Sequence, residues 1–278
     1  MTVGIGAVCE ADTDNPKVVV AADRLVTSGQ AARREYEHTS SKMLSIHGTN
    51  GDNSVCAVGI GAGSVSLADE VFYKVDQKVA GAPPESARSL AQYGMLSLQE
   101  VVQETINRQV LSPHNLNLQT FNQTQGQMNP QVVQGIYQEI TQKKDEVLQQ
   151  VNILLAAVDS EGAHLYNIRQ NDLARNDTIG YLTVGSGAEP ANSTFIRNRY
   201  DDTCELDDAL LDVTEAKAQA EEAQGVGRKM DLAVLDQSGR RDLDDDEIEH
   251  LREVYEEVIK KEQSARQSVI EDRDYSLE

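Results

Sequence analysis

A threonine at position 2, an aspartate at 23 and a lysine at 42 are residue types that together could cleave an acyl bond. A threonine hydroxyl is a weak nucleophile until a base takes its proton, and a free α-amine on the same residue can be that base. Removal of Met1 would expose such an amine on Thr2. An α-amine titrates near neutrality, so part of it is unprotonated at cell pH. A buried lysine beside the hydroxyl favours the alkoxide, and an aspartate fixes and balances that lysine. Asp23 follows Thr2 by 21 positions, and Lys42 follows Asp23 by 19.

Three strands must bring these residues together. Val3–Val8 is glycine-rich and apolar, as a buried strand is. Asn15-Pro16 marks a turn, and Lys17–Ala22, with three consecutive valines, reads as a second strand that ends in Asp23. Lys42–Ile46 reads as a short third strand, and 47–53 as the turn after it.

This order of Thr2-x-Gly4, Ala22-Asp23-Arg24-x-x-Thr27 and Lys42-Met43-x-x-Ile46 resembles the start of a proteasome β-type subunit, a member of the N-terminal nucleophile (Ntn) hydrolases. The resemblance implies Thr2 as nucleophile, with Asp23 and Lys42 completing the active centre. It implies that the backbone at Thr27 lines the substrate cleft. Both gaps are a few residues longer than is usual in the family. The excess falls in the acidic turn Glu10–Pro16 and in a loop from Gln30 to Ser40.

The resemblance continues along the chain. Val55–Ser64 reads as a strand running into a glycine-rich turn. A phosphate cradle is disfavoured, because no Gly-Lys-Ser/Thr follows and the GxGxxG spacing fails. The resemblance implies an oxyanion-hole turn there, with the Gly59 N–H as donor. Close packing accounts for Gly61 and Gly63 equally well. Ile153–Ile168 matches the family hairpin. His164 on its second strand is read as a packing or surface histidine, since no acid or nucleophile is spaced to serve it. Gly185-Ser186-Gly187 matches a family turn, which implies a proton-relay role for Ser186 beside the nucleophile's amine. Met230–Asp236 matches the last core strand. The family's Asp-x-x-Ser-Gly loop before that strand is absent. In its place stands Glu221–Lys229, with Glu222 as the candidate replacement for the acid.

Helices are expected over 64–80, 85–110, 130–149, from Glu189-Pro190 onward, and over 205–223. Residues 111–135 are rich in Asn and Gln and are expected to form an irregular insertion, read as a tolerated loop in preference to a lid or ring-packing element. Asp242–Asp246 reads as the cap of a further helix, with a polar tail that frays after about Ser264. A Ca²⁺ site at Asp244–Glu247 is disfavoured, because the loop spacing with its central glycine is absent.

The 278-residue chain carries a formal charge of −21, which argues against nucleic acid and against anionic membranes. Such an excess of acids suits a halophilic cytoplasm, where salt screens self-repulsion; an ordinary acidic protein is the plainer reading. With no Trp and 4% aromatics, the core must be mainly aliphatic. Cys9, Cys56 and Cys204 are odd in number and far apart, and are expected as free thiols in a cytoplasmic protein. The chain shows no basic leader and no apolar run of about 18 residues.

The resemblance implies an α+β fold, a four-layer α-β-β-α sandwich. Residues 2–237 would form the Ntn domain, with the insertion at 111–135, and 242–264 a C-terminal helical extension. The implied function is a threonine-type hydrolase of peptide (amide) bonds, needing no cofactor or metal, acting on peptides or unfolded protein. The family further implies a homo-oligomer, with a ring as one form of it, and is compatible with an ATPase partner. Two alternatives stand beside it: a catalytically inactive assembly subunit, and an Ntn amidase or transpeptidase in which an amine resolves the acyl-enzyme.

Overall fold

Every residue of strand β1 (Val3–Cys9) is buried, and so are Val18–Asp23 of β2 (Lys17–Asp23). Continuous burial requires apolar cover on both faces of the strands. Alternate side chains divide accordingly. Val3, Ile5, Ala7, Cys9, Val19 and Ala21 face a helical layer. Val8, Val18, Val20 and Ala22 face a second sheet. The computed structural model describes residues 2–28, 34–37, 41–50, 53–169 and 172–271.

The first sheet is antiparallel and has the order β10-β1-β2-β11-β12, adding β10 (Tyr181–Gly185), β11 (Met230–Asp236) and β12 (Gly239–Asp242). The second has the order β5-β6-β7-β8-β9, from β5 (Met43–Asn50), β6 (Asn53–Gly63), β7 (Val151–Asp159), β8 (Gly162–Arg169) and β9 (Asp172–Arg175). Helices α1 (Val65–Gly81), α2 (Ala87–Ile106), α3 (Leu118–Thr124) and α4 (Pro130–Gln149) lie on the second sheet's outer side, through a core that includes Phe72, Leu98, Phe121 and Leu148. Helices α5 (Ala188–Asn198), α6 (Leu206–Ala220) and α7 (Asp245–Glu271) cover the first sheet. The fold is therefore an α-β-β-α sandwich.

Small side chains let the layers approach. A Cβ placed on Gly59 would lie 2.3 Å from the Phe72 ring, and one on Gly61 would lie 2.5 Å from the Ala68 Cβ. These glycines sit inside β6 beneath α1, so they serve close packing within a strand and not a turn. The aromatic cover of the first sheet is a small cluster. Tyr181 stacks on Phe195 at 4.6 Å between centroids, and Tyr200 meets Phe195 edge-on at 5.1 Å.

Four expectations change. Part of the supposed loop between Gln30 and Ser40 is strand β4 (Arg34–Glu37), paired with β3 (Leu25–Ser28); 30–33 and 38–40 lie outside the described residues. The 47–53 turn is shorter, because β5 continues to Asn50 before its partner begins at Asn53. The 111–135 excursion is helical: Leu111 and Phe121 are buried, and Phe121 anchors α3 against Tyr137 of α4. Leu116, Leu118 and Met128 pack against the same core. Helix α7 continues past Ser264 to Glu271, with Ile248 and Tyr255 as its buried anchors.

His164 on β8 is not a lone packing histidine. Its Nδ1 lies 2.7 Å from Asp177 Oδ2 and its Nε2 3.2 Å from Asp159 Oδ1. Asp159 also accepts from the Ala87 N–H at the start of α2 (2.7 Å). Burial opposes the charge on His164, but the two carboxylates override it and raise its pKa to about 9. Asp159 is held down at about 2: burial pushes its pKa up, and the His164 and backbone hydrogen bonds more than offset this. The stabilisation from His164 is fully present below its unfolded value of about 6.5 and is lost as pH rises through about 9. That from Asp159 is present above about 3.8 and is lost as pH falls through about 2. Melting temperature is therefore expected to fall between pH 6.5 and 9, and His164→Gln to flatten that part of the curve. An unchanged slope in the variant would assign the alkaline loss to other groups.

Candidate active site

The antiparallel register of β1 and β2 pairs Gly4 with Ala22, which puts Val3 beside Asp23 at the end of the sheet. The Asp23 side chain is fully buried and turns back along that end. Its Oδ1 accepts from the Val3 N–H at 2.9 Å, and its Oδ2 from the N–H groups of Leu25 (3.1 Å) and Gly227 (3.3 Å). Lys42 precedes β5 of the opposite sheet and spans the gap between the sheets. Its Nζ lies 3.0 Å from both carboxylate oxygens of Asp23 and also donates to Thr2 Oγ1. Thr2, Asp23 and Lys42 are thus joined as one buried constellation, Thr2 being 4% exposed.

The electrostatics follow from burial. Desolvation lowers the Lys42 pKa below its ordinary value, and the charge and hydrogen bonds of Asp23 oppose that shift. An ammonium donating to Thr2 Oγ1 would stabilise negative charge on that oxygen.

The turn after β10 closes the site. Gly185 has φ +98°, and a Cβ there would fall 2.1 Å from the Thr2 carbonyl oxygen and 3.4 Å from the Ala62 Cβ. Only glycine permits this approach. The Ser186 Oγ lies 3.4 Å from the Thr2 carbonyl, and the Gly187 N–H 3.5 Å from it. Ser186 therefore stands beside Thr2, contacting its backbone. Thr27 lies on β3 opposite Glu35, and its side chain is outside the described residues. Met1 is also outside them.

Gly59 is not at the site. It lies within β6, paired with Leu44 on one side and Leu155 on the other, so its N–H is flanked by strands. Toward the end of β6, Ala62 lies beside Gly185, the residue packed against the Thr2 carbonyl. At about 3.3 Å per residue, Gly59 is roughly 13 Å short of Gly63. Gly63 terminates the strand with φ +105°, and the next N–H, of Ser64, is committed to the Gln150 carbonyl (2.7 Å). Sequence spacing alone could not tell three glycines in alternate positions apart; the register places Gly59 mid-strand and Gly63 at the strand end.

Two further contributors escaped the sequence reading. Gly227 donates to Asp23, and a Cβ on it would sit 2.6 Å from the Leu25 Cβ. Lys217 of α6 is fully buried and donates to the Gly227 carbonyl at 2.7 Å. Nothing in a Lys on an amphipathic helix marks it as buried. Gly225-x-Gly227 was the only signal, and it reads as an ordinary turn. Glu222 is exposed and does not take the place of the missing acid.

No family model and no curated protein match the chain. Solved structures do match. The chain superposes with a TM-score of 0.64 on the Anbu (Gly-1) mutant from Hyphomicrobium sp. strain MC1, at 12% identity over all of both chains. Anbu, an ancestral β-subunit, from Yersinia bercovieri gives 0.60 at 14% identity, covering 94% of this chain and 96% of that one. Anbu from Pseudomonas aeruginosa, solved as the helical assembly of the Anbu complex, gives 0.60 at 14%, covering 98% and 97%. These likenesses show a shared fold.

Proposed function

We propose that this chain is a threonine-type hydrolase of peptide (amide) bonds whose nucleophile is Thr2, made N-terminal by removal of Met1. The observation that carries the reading is the Asp23–Lys42–Thr2 contact, in which a buried ion pair delivers an ammonium to the threonine hydroxyl. The α-amine of Thr2 takes the hydroxyl proton as Oγ1 attacks the carbonyl carbon. The proton passes to the leaving amine, and an ester to Thr2 remains. Water, deprotonated by the same amine, then releases the acid. We assign the oxyanion donor to the Gly63 N–H, at the end of β6 next to Ala62, in place of Gly59. Ser186, whose hydroxyl meets the Thr2 carbonyl, holds the backbone of the nucleophile beside its amine, and the backbone at Thr27 borders the cleft.

The test is a mass measurement with a covalent probe. Intact mass lighter by one methionine, and a threonine-directed electrophile found on the peptide that begins at Thr2, are the expected results. A retained Met1 with no label would overturn the reading.

A second reading, an inactive assembly subunit, is favoured by the 221–229 loop. Among the described residues it offers backbone, but no acid or hydroxyl side chain, to the Thr2–Asp23–Lys42 group. Under either reading we infer self-association, as in the helical assembly of the Pseudomonas protein. Exposed apolar side chains on two helices of one layer, Val65 and Tyr73 of α1 and Val132 and Tyr137 of α4, suit such contacts. Among the described residues, no helix is long and apolar enough to cross a membrane.

A further inference from the structure

Burying a lysine completely is unfavourable unless acceptors surround its charge. Lys217 has them. Its Nζ donates to Glu221 Oε1 (2.7 Å), to the Gly227 carbonyl (2.7 Å) and, at 3.5 Å, to the Arg228 carbonyl. From the next helix, Arg252 of α7 donates to the same Glu221 oxygen (2.7 Å) and to the same Arg228 carbonyl (2.5 Å). Two cations on two helices therefore hold one carboxylate and the two successive carbonyls at 227 and 228. The far side of this loop meets the active centre. The Gly227 N–H donates to Asp23, the Arg24 N–H donates to the Lys229 carbonyl at 3.0 Å, and Gly227 is packed against Leu25.

We infer that Lys217 is a positioning residue for Asp23: it clamps the carbonyl of Gly227 so that the N–H of the same residue stays on the carboxylate that holds Lys42 against Thr2. The backbone loop thereby replaces side-chain support at this position, and α7 reinforces it through Arg252. The inference rests on the hydrolase reading for its catalytic consequence, but not for its geometry. Burial lowers the Lys217 pKa while Glu221 opposes the shift, as expected of an amine that must keep its proton by its contacts.

Lys217→Met keeps most of the side chain's volume and removes the donor. The expected result is a fall in kcat of about ten- to a hundredfold with KM within about twofold, because a sub-ångström to 1 Å misplacement acts on the chemical step. In the same variant the backbone amide resonance of Gly227 is expected to move upfield and to exchange faster, having lost its carboxylate acceptor. Arg252→Gln, made at the edge of the loop, is expected to give the same changes in smaller degree, and it serves as the test if Lys217→Met does not fold. An unmoved Gly227 amide in a folded variant overturns the inference, whatever the rate does. If the wild-type chain shows neither turnover nor labelling at Thr2, the hydrolase reading fails by itself, and the Gly227 amide still decides whether Lys217 sets the loop.

Discussion

Thr2→Ala is expected to lower peptide hydrolysis by about three to six orders of magnitude, the range seen when a nucleophile is removed from a coupled catalytic group. The folded protein should scarcely notice. Thr2 Oγ1 receives Lys42, but Lys42 retains both oxygens of Asp23 when the hydroxyl is gone, so no buried charge is left unpaired. Melting temperature should stay within a few degrees. Thr2→Ser, which restores a hydroxyl beside an α-amine, should recover part of the rate, and its product should still carry the acyl group on residue 2 when turnover is trapped. Steady-state rates on an unstructured peptide pool, with thermal melts of all three proteins, decide the matter. Unchanged turnover in the alanine variant would remove Thr2 from the chemistry.

Asp23→Ala should be costly to the fold itself. The carboxylate is fully buried, receives three backbone N–H groups from three different segments, and is the counter-ion of Lys42. Removing one partner of a buried pair leaves an uncompensated charge and typically costs about 3–5 kcal/mol. Here the N–H groups of Val3, Leu25 and Gly227 lose their acceptor as well. The expected loss is at the upper end of that range. Lys42→Met should cost much less, because its side chain is 13% exposed and the Asp23 carboxylate keeps its three backbone donors. The double variant Asp23→Ala with Lys42→Met should be more stable than Asp23→Ala alone, since the stranded ammonium is gone. Urea unfolding of the four proteins measures each term. If Asp23→Ala proves no worse than Lys42→Met, the carboxylate is not the structural anchor of the site.

These two variants also separate the roles the constellation combines. The role proposed for the threonine is chemical, and structurally it is almost idle. The aspartate is a hub where β1, β2, the start of β3 and the 221–229 loop meet, and disturbing it disturbs all of them. Lys217 extends that hub outward to α6 and α7.

Much of this was legible in the residues themselves. A hydroxyl residue at position 2, an acid at the end of a valine run and a lysine at the start of a later strand were visible as residue types, and the family resemblance grouped them as one centre. Strand periodicity fixes which ends they occupy, and antiparallel pairing of neighbouring strands brings those ends together. Apolar runs at Val3–Cys9, Lys17–Asp23 and Val151–Asp159 marked buried strands of a mixed α+β domain, while the four-layer sandwich itself came from the family resemblance. The tertiary structure decided what depends on register and on long-range contact. Gly59, Gly61 and Gly63 are chemically identical in the chain, and only the pairing of β6 with β5 and β7 shows that Gly59 lies in the middle of a strand and Gly63 at its end. His164 finds its acids at positions 159 and 177, one across the hairpin and one beyond the short strand β9, a proximity that no local spacing announces. Lys217 looks like any surface lysine on an amphipathic helix. Its burial follows from the way α7 closes over α6 and the 221–229 loop, a contact between residues more than thirty positions apart in the chain.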